Sequence, residues 1–229
     1  MYKRLYSILC LLVLLILPVS VRAELPWQSD MHTRYMALGD SLTAGYGAIP
    51  ATEGYVYLLY HEAVFDTIPG TLFCNAGIPG ATSQDVLDHQ VPQAINEFHP
   101  TVITLTVGGN DLLTLFKGAD FYQVLGTFQA NLTQILLQLR AGLPNAKIYI
   151  NNLYDIPEIP GSMQVVPVFN QVISQVAQAF NVPVADVYSA FQGRKGLLLI
   201  ERHGAAPDQV HPTNAGYRAM AQAFEDVVK

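Results

Sequence analysis

Met36-Ala37-Leu38-Gly39-Asp40-Ser41-Leu42-Thr43-Ala44-Gly45-Tyr46-Gly47 joins a short apolar run to small and polar residues, the pattern of a first β-strand that ends in a tight turn. In an open parallel α/β sheet, residues just past the carboxyl ends of the strands face the ligand crevice, so Ser41 stands where chemistry occurs. A serine hydroxyl is protonated at neutral pH and attacks little on its own. It needs a base within hydrogen-bond reach and a third group that orients the base.

Outward from this stretch, strand and helix signals alternate. The β-branched runs at 35–38, 71–75, 101–107, 147–151 and 182–187 read as buried strands between turn-rich flanks. Helical spacing predicts helices over 55–65, 83–98 with a break near Pro92, 121–140 and 165–180, and a last helix after His211 with Pro212 near its first turn. This order implies right-handed crossovers and a parallel sheet covered on both faces, an α/β architecture. The stretches 112–120, 154–162 and 188–207 follow strand ends and read as loops that wall a site.

The chain opens Met1-Tyr2-Lys3-Arg4, continues uncharged from Leu5 to Val21, and reaches Val21-Arg22-Ala23 before its first acid, Glu24. A basic start, an apolar core too short for a standard span and small residues at 21 and 23 read as a secretory signal peptide over 1–23, with an uncleaved anchor as the alternative. Residues 24–229 then form one domain. The whole chain carries 12 basic and 18 acidic residues, and three of the basic ones lie before the expected cut. The acidic balance argues against nucleic acid or an anionic membrane surface as partner. After cleavage Cys74 is the only cysteine left, so no internal disulfide is available, and at the end of an apolar run it reads as a small buried hydrophobe.

Groups that could serve Ser41 stand at other strand ends. Asp208-Gln209-Val210-His211 puts a carboxylate three residues before a histidine at the entry to the last helix, close enough to bind one ring nitrogen and leave the other for a serine. Gly77 in Asn75-Ala76-Gly77 permits a sharp turn that presents its N–H, and Asn110 in Gly108-Gly109-Asn110-Asp111 offers a side-chain amide. Such donors stabilise a developing oxyanion. His61-Glu62 opens like a zinc-binding helix, but Phe65 stands where the second histidine belongs, so no metal is expected. Gly45-Tyr46-Gly47 reads as a turn, since Pro50 occupies the third glycine position of a dinucleotide loop. Asn131-Leu132-Thr133 is a glycosylation sequon inside a predicted helix.

Together these blocks resemble the SGNH, or GDSL, hydrolase family. The resemblance covers the chain beyond residue 23 and rests on Gly39-Asp40-Ser41-Leu42, on Gly77, on Gly108-Gly109-Asn110-Asp111 and on Asp208 to His211. Gln209 stands where many members carry glycine. The resemblance implies a flavodoxin-like three-layer α/β/α sandwich with a five-stranded parallel sheet. It also implies Ser41 as nucleophile, His211 as general base and Asp208 as its orienting acid, with the Ser41 N–H, the Gly77 N–H and the Asn110 side chain forming an oxyanion hole. The expected activity is hydrolysis of a small-molecule or lipid acyl ester through an acyl-enzyme, without a cofactor, by a protein secreted or exported to the periplasm. Leu112, Leu113, Leu115 and Phe116, with Ile156 and Ile159, suggest an apolar groove for an acyl chain. Lipase, thioesterase, lysophospholipase and carbohydrate deacetylase activities all stay open, and a non-catalytic lipid- or glycan-binding module is the reading from another class.

Overall fold

A computed structural model describes residues 32–62, 64–65, 71–200 and 210–228. The expected signal peptide and Asp208 lie outside the described residues. Five strands, β1 (Arg34–Gly39), β2 (Leu72–Asn75), β3 (Val102–Thr106), β4 (Lys147–Asn151) and β5 (Val184–Ala185), form one sheet in the order β2-β1-β3-β4-β5. Every pairing is parallel, with Ala37 opposite Asn75 on one side and Gly39 opposite Thr106 on the other. The flavodoxin-like order reverses between β1 and β3, so the loops after these two strands splay apart and leave a crevice.

The period-2 alternation of a strand sends neighbouring residues to opposite faces. Met36 and Leu38 pack on one side with Ile103, Leu105, Phe128 and Phe169. Tyr35 and Ala37 pack on the other with Tyr55, Tyr149, Tyr217 and Phe224. Helices α3 (83–98), α5 (Phe121–Gly142) and α6 (Ser162–Ala179) cover the first face. Helices α2 (Tyr55–His61), α7 (Val187–Phe191) and α8 (Asn214–Val228) cover the second. Two short helices, α1 (Ser41–Ala44) and α4 (Gly109–Leu115), sit at the carboxyl ends of β1 and β3.

Three expectations need correction. Helix α3 does not break at Pro92: it widens into π turns over Val86–Gln90 and Ala94–Phe98 on either side. The Val91 N–H reaches back to the Val86 carbonyl, and this wider turn takes up the disturbance that a proline causes in an α-helical ladder. The stretch 112–120 begins as helix α4 rather than as a loop, and 188–207 begins inside α7. The last helix follows His211 as expected and starts at Asn214, two residues beyond Pro212. Among the described residues no helix is long and apolar enough to cross a membrane.

Candidate active site

The backbone beneath Ser41 is fixed by a glycine that no other residue could replace. Gly39 has φ +145°, and a Cβ there would lie 2.2 Å from the Thr106 carbonyl oxygen. The buried carboxamide of Gln90 accepts from the Gly39 N–H (2.7 Å) and donates to its C=O (2.8 Å), satisfying both groups where the strand pairing ends. Asp40 caps α1 by accepting from the Leu42 N–H at 2.9 Å, and Gly45 closes it in the left-handed region. From below, the Thr43 hydroxyl donates to the Leu38 carbonyl (3.1 Å) and meets Tyr55 (3.2 Å), whose hydroxyl meets Thr106 (2.7 Å). Ser41 is thus held on a rigid turn at the crevice, only 9% exposed.

His211 comes from the other end of the chain. Its carbonyl accepts from the Leu199 N–H (2.9 Å), and the Thr213 N–H donates to Leu197 (2.8 Å), so 197–199 and 211–213 pair as a short antiparallel bridge. This brings Nε2 to 2.8 Å from Ser41 Oγ across 170 positions of sequence. The aromatic ring of Tyr46 lies against the imidazole, with centroids 4.6 Å apart. A serine oxygen this close to an imidazole nitrogen has the geometry for proton transfer.

The two other expected donors are differently placed. The Asn110 side chain lines the same cavity as Ser41 and His211, and one of its amide hydrogens goes to the Ala81 carbonyl at 2.9 Å. The Gly77 N–H, expected to face the reacting oxygen, is donated to Asn75 Oδ1 at 3.0 Å in a turn local to that loop. Asn75 Nδ2 also donates to the Thr43 carbonyl (2.8 Å), so one carboxamide ties the Gly77 turn to α1. The approach is close: a Cβ on Gly77 would lie 2.4 Å from the Ala44 nitrogen.

Two buried carboxyls flank the turn. Burial drives the Asp40 pKa up to about 7, the Leu42 N–H works against this, and the charge of Asp111 adds to it. Asp111 itself accepts from the Ser83 N–H (2.9 Å) and hydroxyl (2.5 Å), while Asn131 donates to that hydroxyl at 3.0 Å. Burial raises the Asp111 pKa and the Ser83 bonds oppose the rise. The carboxylate beside Asn110 therefore anchors the start of α3, a role that its sequence position does not reveal.

A cavity of about 290 Å³ opens beside Ser41 and His211. This is at the small end of the range for ligand sites. Leu112, Leu113, Phe116, Ile156 and Ile159 line it as expected, and Leu153, Val166 and Tyr154 complete its wall. Leu115 does not line it and packs against the core instead. The Tyr154 hydroxyl donates to the Val210 carbonyl at 2.8 Å, and its ring stacks on Phe191, which fixes the wall next to His211. Among the described residues no group of three or more His, Cys, Asp or Glu could hold a metal ion.

A histidine-paired serine at the switch point of this sheet, beside an apolar cavity, has the form of a carboxylic ester hydrolase, and the comparisons with known proteins agree. The model of the GDSL-like lipase/acylhydrolase family matches residues 37–219, and the chain belongs to that family. It is 29% identical to the spore germination lipase LipC of Bacillus licheniformis over 208 residues, which span 84% of this chain and 94% of that one. It is 24% identical to an acetylxylan esterase of Geobacillus stearothermophilus over 206 residues, 83% of this chain and 91% of that one. The psychrotrophic esterase EstA from Pseudoalteromonas sp., in a structure inhibited by monoethylphosphonate, shares the fold with a TM-score of 0.63 at 22% identity, covering 86% of this chain and 96% of that one.

Proposed function

We propose that the protein is an exported serine esterase that hydrolyses esters of medium-chain acyl groups through an acyl-enzyme on Ser41. The observation that carries this reading is the 2.8 Å contact between Ser41 Oγ and His211 Nε2 beside an apolar cavity. His211 takes the hydroxyl proton as Ser41 Oγ attacks the ester carbonyl carbon. Asp208 holds the other ring nitrogen and stabilises the imidazolium that forms. The oxyanion is received by the Ser41 and Gly77 N–H groups and by the second amide hydrogen of Asn110. For Gly77 this requires its N–H to turn from Asn75 Oδ1 or to be shared with it. The C–O bond to the alcohol then breaks and His211 returns the proton to the departing oxygen. Water repeats the sequence on the acyl-enzyme and releases the acid. No step calls on a cofactor.

The wall formed by Leu112, Leu113, Phe116, Leu153, Ile156 and Val166 suits an aliphatic acyl group. The similarity to an acetylxylan esterase supports a second reading, removal of acetyl groups from a carbohydrate by the same residues. Export rests on the sequence of residues 1–23, and the N-terminal sequence of the protein recovered outside the cytoplasm tests it: a start at Glu24 supports the cut.

Labelling with a fluorophosphonate tests the site without knowledge of the natural substrate, because the probe reads an activated serine and an oxyanion hole together. A single adduct on Ser41 is expected, insensitive to a chelator and lost on the rapid timescale in His211→Gln. Ser41→Ala and His211→Ala should each lower ester turnover by at least ~10⁴-fold, as for members of one catalytic unit. A folded wild-type protein that does not label would favour a binding module.

A further inference from the structure

Three side chains of α8 reach the loop that follows the nucleophile. Asn214 forms a two-point pair with Ile49, accepting from its N–H (3.0 Å) and donating to its C=O (2.6 Å). The Tyr217 hydroxyl donates to the Tyr46 carbonyl at 2.7 Å, and Arg218 meets Glu53 at 2.7 Å. Positions i, i+3 and i+4 share one helix face, so all three bear on a single segment, residues 46–53.

That segment stands between the two halves of the site. The Tyr46 N–H donates to the Ser41 carbonyl at 2.9 Å, while its ring lies on His211. One residue on, a Cβ at Gly47 would approach Leu199 Cδ1 to 2.8 Å and His211 Cβ to 3.7 Å. The segment is thus pressed against the turn that carries the base. Helix α8 begins three residues after His211, so its contacts with 46–49 set the base turn and the nucleophile turn relative to each other.

We propose that Asn214 and Tyr217 are positioning residues for the Ser41–His211 pair, acting through Tyr46 and Ile49. The inference rests on the reading of Ser41 and His211 as nucleophile and base. Tyr217 is fully buried, and burial raises the pKa of its hydroxyl, which keeps it a donor at any working pH. The Arg218–Glu53 pair is partly exposed and reaches only the far end of the segment, so it adds little. Proton transfer between Ser41 and His211 depends on a short, aligned contact, and a displacement near 1 Å costs about 10²-fold. Loss of one tether, a smaller displacement, should cost about 10-fold in kcat.

The test compares Asn214→Ala, Tyr217→Phe and Glu53→Gln with the wild type in the full chain, using p-nitrophenyl butyrate for kcat and KM. Active sites are counted by fluorophosphonate incorporation, and thermal unfolding is followed alongside. Asn214→Ala and Tyr217→Phe should incorporate one probe per chain, more slowly, with kcat per labelled site down about 10-fold and KM within about twofold. Glu53→Gln should match the wild type. Tyr217→Phe keeps the buried ring, so it carries the test even if Asn214→Ala fails to fold. Fewer labelled sites with normal kcat per site would mean that the contacts only support the fold, and would overturn the inference. So would an equal loss of kcat in Glu53→Gln. A wild type that neither labels nor hydrolyses esters would instead overturn the proposed function, and this inference with it.

Discussion

The depth of the cavity beside Ser41 makes a quantitative claim about chain length. Each methylene moved from water into an apolar wall contributes about 0.8 kcal/mol, close to a factor of four in kcat/KM. Four methylenes separate acetyl from hexanoyl, so kcat/KM for p-nitrophenyl esters should rise on the order of 10²-fold across that range. Val166, on the first turns of α6, is buried together with Leu153 while Phe116 is exposed, so the cavity runs from Phe116 inward to Val166. Val166→Phe would put a ring into that inner end. Hexanoate should then fall to near the acetate value, while acetate, whose methyl group stays near Ser41, changes by no more than about twofold. Thermal unfolding checks that the larger side chain has entered the cavity without a cost of more than about 1–3 kcal/mol. A steady decrease from acetate onward in the wild type would refute the acyl-groove reasoning and favour a deacetylase. An unchanged chain-length slope in Val166→Phe would show that the chain lies elsewhere.

Asn110→Ala removes one proposed oxyanion donor and should lower kcat by about 10²- to 10³-fold, and an effect confined to KM would contradict that role. The Asp40 carboxyl is easier to protonate folded, at about 7, than unfolded, near its ordinary value of 3.8. Its contribution to stability is therefore full below pH 3.8 and is lost as pH rises through 7. Asp40→Asn keeps a cap for Leu42 and should flatten the fall in unfolding free energy between those limits, whereas parallel pH profiles for the two proteins would refute the assignment. Gln90→Ala leaves the buried Gly39 N–H without its partner and its C=O with only the Ile78 N–H, and should destabilise the fold by about 1–3 kcal/mol in denaturant titration. A change below about 0.5 kcal/mol would show that water replaces the carboxamide.

What could be read in the sequence was what is encoded locally. The run Lys147–Asn151 reads as a strand with its observed ends, because a β-branched run with turns on both sides has little choice. Strand β5 shrinks to Val184–Ala185 within the expected 182–187, since Pro183 faces β4 without an N–H to donate and Asp186 already caps α7. Reading 112–120 as a loop turns every apolar side chain at its start to the groove and so misassigns Leu115. On α4, successive residues rotate by about 100°, so Leu112, Leu113 and Phe116 face the cavity and Leu115 faces the core. Ser41 and His211 could be named from their motifs. The groups that hold them could not, because Gln90 on Gly39 and Asn214 on Ile49 pair a side chain with a distant backbone, and any residue type provides a backbone. Tyr46 lay within the opening stretch, yet its contact with His211 depends on how the two ends of the chain meet.

That meeting of the ends bears on when the protein becomes active during its synthesis. His211 and the whole of α8 emerge from the ribosome after all five strands, and α8 packs against α2 near the start of the described chain. A nascent chain holding all five strands still has no base for Ser41 and no clasp on residues 46–53. On the proposed roles of Ser41 and His211, the serine stays inert while the polypeptide is being made and during the export proposed for it. On that reading catalytic power arrives in a single step, when α8 docks.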